Sequence, residues 1–239
     1  MRYLPAILLF CLVTTMSHGQ ELKFGIGMTM AEREYYPAIA QIDSVTIYNR
    51  DFYGGKQLLP FVRYVSPPLK NFTFSAGLTY FRNYTGMTAY KQIGTDNYSA
   101  AKAVTVGIRS FEFPLLAHYS FFPDGDLTVK LFAGIIPVFS KIDFEPRFKA
   151  GNSLNWPQEV VDVMNKAGTL PKRFYMDYQY GGNITYKRFG LDVFIQQNLT
   201  KNINNNLEVY GQSALFTRKT ESLRFLLSYS IPLFSKSRP

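Results

Sequence analysis

Few residues in this chain could do chemistry. The sequence holds two histidines, His18 and His118, and one cysteine, Cys11. His18 and Cys11 fall in an N-terminal segment that reads as a leader, so His118 is the one imidazole left for acid–base work. A catalytic histidine needs a nucleophile or carboxylate within hydrogen-bond reach. Glu112 precedes His118 on the same face of one strand-like run. At ~3.3 Å per residue the two stand roughly 20 Å apart and do not touch. The sequence shows no His/Cys metal cluster, no phosphate-binding glycine loop and no dinucleotide fingerprint. It therefore points away from an enzyme, and no cofactor is expected.

The elements that would position such residues begin with an export signal. Arg2 supplies a positive charge, an apolar run covers Leu4 to Val13, and small residues Ser17 and Gly19 precede Gln20. The run is short of the ~20 residues that cross a bilayer as a helix. It fits a secretory signal cleaved before Gln20, with residues 1–19 as signal peptide and 20–239 as a single domain. Cys11 sits behind Leu8-Leu9-Phe10, which does not fit lipidation. Beyond the signal there is no cysteine, hence no disulfide framework. Aromatic residues reach 16%, with 17 Tyr and 21 Phe, and the formal charge is +9. For an exported protein this basic balance favours anionic lipid and lipopolysaccharide as partners over nucleic acid.

From Gln20 the dominant pattern is period two, which argues strands. Over 21–30, Leu22, Phe24, Ile26 and Met28 alternate with Lys23, Gly25, Gly27 and Thr29. Over 71–82, Phe72, Phe74, Ala76, Leu78 and Tyr80 alternate with Thr73, Ser75, Gly77 and Thr79. Over 221–234, Phe225, Leu227, Tyr229 and Ile231 alternate with Arg224, Leu226, Ser228 and Ser230. Segments 57–66, 104–121, 127–140, 174–187 and 190–199 complete a set of eight. Their connections alternate in length. Those at 66–70, 122–126 and 187–190 are short and carry turn residues, whereas 31–56, 83–103, 141–173 and 200–220 are long. Short turns on one side and long loops on the other, with both termini on the turn side, are features of outer-membrane barrels. The expected fold is all-β, an eight-stranded antiparallel transmembrane β-barrel with long external loops. A soluble lipocalin-like barrel has the same strand count with its apolar face turned inward, and periodicity alone does not fix that direction. Small residues on one face, and Tyr64, Tyr80, Tyr119, Phe121, Tyr186 and Tyr229 near strand ends, favour lipid outside.

With that direction, Lys23, Arg63, Glu112, His118, Lys130, Asp177, Asp192 and Arg224 point into the lumen, joined by Gln179, Asn183 and Gln196. Eight strands leave room only for side chains, so these charges must pair. A paired plug is the leading reading, and a narrow path for ions or small solutes is the alternative. Phe61, Leu116, Phe132, Phe194 and Leu226 share the inward face and would block water. The long loops carry Tyr35, Tyr36, Tyr48, Phe52 and Tyr53, and also Trp156, as candidate contacts with protein or glycan. After Trp156, Pro157 and Glu159 early, Lys166 late and Gly168 just beyond are the ends of a short helix. Its stripe Val160, Val161, Val163, Met164 is expected to cap the barrel, with docking of a partner as the alternative.

Four stretches carry a family resemblance: Phe111-Glu112-Phe113-Pro114-Leu115-Leu116-Ala117-His118-Tyr119, Leu131-Phe132-Ala133-Gly134-Ile135-Ile136-Pro137, the hairpin from Tyr178 to Asn202, and Ser228-Tyr229-Ser230-Ile231-Pro232-Leu233-Phe234. They resemble strands of the Bacteroidota outer-membrane β-barrel domain family, which includes the PorT-like proteins. The resemblance implies a bacterial outer-membrane location and a non-enzymatic structural or interaction role, with PorT-like members linked to type IX protein secretion. A monomeric barrel is expected, with other envelope proteins as candidate partners. The basic tail Lys236-Ser237-Arg238-Pro239 departs from a terminal aromatic, although Phe234 lies close.

Overall fold

The computed structural model describes residues 19–36, 39–50, 58–93, 97–99, 103–122, 125–142 and 157–233. In chain order the strands are β1 (Glu21–Tyr36), β2 (Ile39–Ile42), β3 (Val45–Arg50), β4 (Leu58–Val65), β5 (Phe72–Ile93), β6 (Asn97–Ser99), β7 (Ala103–Glu112), β8 (Leu115–Ser120), β9 (Leu127–Ile142), β10 (Phe174–Tyr186), β11 (Phe189–Asn198), β12 (Ile203–Val209) and β13 (Gln212–Pro232). One helix, α1 (Gln158–Ala167), precedes β10.

The sheet closes on itself. β4 pairs β1, β1 pairs β13, β13 pairs β11, and the ladder continues through β10 and β9 to β7 and β8. Those two strands pair β5, which returns to β4. All pairings are antiparallel. β7 and β8 occupy one position in the ring, so the barrel has eight staves: β1, β4, β5, β7 with β8, β9, β10, β11 and β13. The expected single strand over 104–121 is interrupted because Pro114 has no N–H to give to the ladder. The gap is bridged by Gly77 N–H to Pro114 O at 3.0 Å and Phe113 N–H to Pro137 O at 3.0 Å.

The barrel is apolar outside and polar inside. Ile26, Leu58, Phe74, Leu131, Ile135, Ile184 and Leu227 are exposed, whereas Arg63, Glu112, Asp177, Gln179, Asp192 and Arg224 are buried. A protein in water does not display an apolar surface that rings its whole girth. Lipid does accept one, and a closed ring leaves no strand edge unpaired in it. This settles the direction that periodicity leaves open. Aromatic contacts band the outer face at two heights. Near the short turns are Phe72–Tyr119, Tyr119–Phe121, Phe24–Tyr229 and Phe189–Tyr229, and higher up are Tyr80–Phe111, Phe113–Phe139 and Phe139–Phe174. Interfacial girdles of this kind flank a lipid-facing band.

Inward glycines let the staves coil tightly. A Cβ built on Gly25 would run into the Leu227 carbonyl, and one on Gly134 into that of Leu115. Leu233 N–H donates to Gln20 O at 3.0 Å, so the two described ends of the chain meet at the short-turn end.

The long connections differ from expectation, because much of them is strand. A transmembrane stave needs ~9–11 residues, yet β5 has 22 and β13 has 21. Beyond the bilayer the excess pairs with the short strands β3, β6 and β12. Tyr210 (φ 53°) and Gly211 (φ 75°) close the β12–β13 hairpin in the left-handed pair that matches strand twist. Here both faces meet water or a local core, so polar residues no longer alternate with apolar ones and the period-two signal fades. α1 lies across this end. Its Val160, Val163 and Met164 pack with Ile42 and Ile47 of the β2–β3 hairpin, Ile203 and Leu207 of β12, and Phe216 of β13. The stripe thus caps the barrel. Glu159 in the first turn and Lys166 in the last complement the helix dipole.

Candidate functional site: the stratified barrel interior

The interior is built in layers. Alternation sends every second residue inward, and the ladder registers set each one's height. At mid-height Leu59, Phe61, Phe81, Leu116, Phe132, Phe194 and Leu226 form one buried apolar cluster. Phe132 and Phe194 meet edge to face at 5.9 Å. Polar layers lie on either side, and each sends a guanidinium onto this apolar floor. Arg224 sits over the Phe81 ring at 4.5 Å and Arg63 over Phe61 at 5.5 Å.

The loop-end layer holds each of its charges in a dense network, although Thr29 Oγ1 and Gln179 Nε2 have no partner among the described residues. Arg224 Nη1 donates to both Glu112 oxygens at 2.8 and 3.0 Å and to Gln196 Oε1 at 2.9 Å. Its Nε donates to Ser222 Oγ at 3.1 Å. Gln196 Nε2 donates to Asp177 at 2.7 Å and to Glu112 at 3.2 Å, and Asn198 Nδ2 donates to Asp177 at 2.6 Å. Asn198 Oδ1 in turn accepts from the Thr220 amide at 2.7 Å. Both carboxylates and the guanidinium are met several times over, which is the condition for holding charge out of water.

The turn-end layer is less complete. Arg63 Nη1 pairs with Asp192 at 2.9 Å, and Asn183 also donates to Asp192. Thr185 donates to Asn183 at 2.9 Å. Ser75 Oγ and His118 Nε2 share a hydrogen bond at 2.8 Å. Lys23 and Lys130 stand in the same layer, with no ion pair among the described residues. Below them opens a cavity of about 540 Å³ at the short-turn mouth.

All eight lumen charges therefore face inward: Lys23, Arg63, Glu112, His118, Asp177, Asp192 and Arg224 buried, and Lys130 half-buried. The structure joins Glu112 with Arg224 and Asp177, and Arg63 with Asp192. It does not join His118 to Glu112, because the apolar floor separates their layers. Ser75, Asn198 and Ser222 belong to the networks but were not singled out from sequence. Small polar residues on an inward face are the only signal that could have marked them. Of the candidate loop contacts, Phe52, Tyr53 and Trp156 lie outside the described residues, and Tyr35, Tyr36 and Tyr48 are described by backbone alone. Among the described residues no group of three His, Cys, Asp or Glu gathers to hold a metal.

Neither a protein-family model nor a curated protein matches the chain. Among solved structures it is similar to Neisserial surface protein A, with 11% sequence identity and a TM-score of 0.39, over 88% of this chain and 97% of that one.

Proposed function

We propose that this protein is a non-enzymatic barrel of the bacterial outer membrane that acts as a structural or interaction component of the envelope, without conducting. The observation that carries this reading is the stratified interior. A contiguous apolar floor crosses the lumen, and the Glu112–Arg224 network stands above it. An interior filled in this way leaves the barrel's ends as its working surfaces. The export signal read from residues 1–19 and the lipid-facing belt support the outer-membrane location. The one lumen imidazole is bonded to Ser75 and not to a carboxylate, which gives hydrolytic chemistry no relay.

The loop end is the stronger candidate for contacts with other proteins. There α1 and the β2–β3 hairpin enclose a cleft of about 370 Å³ beside Tyr210, which is 61% exposed. The link to type IX secretion or surface assembly rests on the resemblance to PorT-like proteins. Co-purification from native membranes, with the barrel cross-linked through a cysteine introduced at Gln212, tests the reading. We expect a discrete envelope protein to be recovered from the loop end. Recovery of the barrel alone, under conditions that capture known envelope complexes, would count against it.

A further inference from the structure

Among the described residues, the turn-end mouth gathers more lysines than carboxylates. Among the described residues its cavity is lined by Lys23, Lys70, Lys130 and Lys187 and by one carboxylate, that of Glu21. Lys23 is only 8% exposed, and it lies directly across the ladder from Arg63. Like charges in that position repel. The carboxylate between them, Asp192, already accepts from Arg63 and Asn183. Lys130 pairs in register with Asn183 and Ser120, neither of which carries charge. Lys187 is different, since its ammonium rests over the Tyr186 ring at 5.4 Å and belongs to the rim.

A second observation points the same way. Thr73 lines the cavity, is 5% exposed, and its hydroxyl has no partner among the described residues. Buried donors are rarely left so. Two inward ammoniums, a rim lysine and an unpartnered hydroxyl together match an oxyanion. Lysine serves such ligands as a point charge with rotatable donors. The volume falls within the range of small-molecule sites, ~300–1,000 Å³, and its strand residues Lys23, Thr73, Lys130 and Thr185 lie on the inward face, so the staves stand between that part of the cavity and lipid.

We propose that the turn-end cup is a binding site for a small soluble oxyanion bearing at least two negative charges, held by Lys23 and Lys130 with Lys70 at the rim and Thr73 as a hydroxyl donor. The site goes beyond the structural role proposed above and does not depend on the loop-end partner.

Titration calorimetry of the full barrel, refolded in uncharged micelles, with inorganic pyrophosphate at fixed low salt tests it. The expected result is one saturable site per barrel. Lys130→Gln and Lys23→Gln should each weaken it about tenfold or more, Lys70→Gln a few-fold, and Lys166→Gln on α1 not at all. Lys23→Gln removes a repulsion with Arg63 and should fold. Lys70→Gln lies in an exposed turn and serves as the second variant if it does not. Absence of saturable heat would overturn the proposal, as would binding that Lys130→Gln and Lys70→Gln leave intact. Displacement of pyrophosphate by phosphatidylglycerol doped into the micelle would overturn the assignment to a soluble ligand.

Discussion

The two polar layers of the interior hang on the same eight staves and settle their charges differently. Above the apolar floor, Arg224 is shared by Glu112, Gln196 and Ser222, and Asp177 is held by two amides. The α1 core then closes that layer from the loop end. Below the floor, Arg63 and Asp192 pair, but Lys23 and Lys130 are left facing an open cup. The contrast teaches that burial and compensation need not go together. A layer sealed from water must hold its charges, even where a neutral group such as Gln179 Nε2 goes without a partner, whereas a layer open to water at one end can keep a surplus that water and mobile ions partly screen.

The largest expected effect breaks the closed layer. Arg224→Met strands Glu112 in the interior and should cost about 3–5 kcal/mol. Urea unfolding in detergent, followed by cold gel migration, would show it. Adding Glu112→Leu to that variant should restore most of the loss, since a paired charge replaced by packing is often neutral. Met164→Ala should cost about 2–4 kcal/mol at the cap. Because the cap lies outside the bilayer, limited proteolysis should cut the loop end while the staves stay folded.

Arg63→Met should cost less than Arg224→Met, about 1–3 kcal/mol, because Asn183 still serves Asp192 and the layer opens to water at the turn-end cup. Equal losses for the two arginines would erase the distinction between the layers. The smallest effect belongs to the surface. The amide at the start of α1, and then Lys91 at 3.2 Å, hold the Glu159 carboxyl below the usual carboxylate range. A lowered pKa contributes stability that is present above the ordinary carboxylate value and lost as pH falls through the shifted one. Glu159→Gln should therefore change stability by less than about 0.5 kcal/mol at neutral pH, and less still in acid. Loop-end proteolysis rates at the two pH values would measure it.

Which face a residue takes was legible in the sequence, because period two is written residue by residue. Lys23, Glu112 and Asp192 could be sent inward without knowledge of any partner. The partners themselves were not legible. Glu112 meets a residue 112 positions away and Arg63 one 129 positions away, and only closure of the ring brings them level. The outer strands were read as loops for the reason given by β12, whose Ile203-Asn204-Asn205-Asn206-Leu207 buries its two apolar ends around three exposed asparagines. The helix was legible because Pro157, Glu159, Lys166 and Gly168 mark its ends with local chemistry. The cup was not, since Lys70 and Lys187 read as turn residues. Their convergence on one mouth depends on three separate turns meeting at the same end of the barrel.

These eight staves enclose an interior crossed by a packed apolar floor. Planar-bilayer recording of the refolded barrel tests it most directly. The intact protein should give no unit conductance steps. Reproducible steps that Arg63→Met or Glu112→Gln abolishes would contradict it.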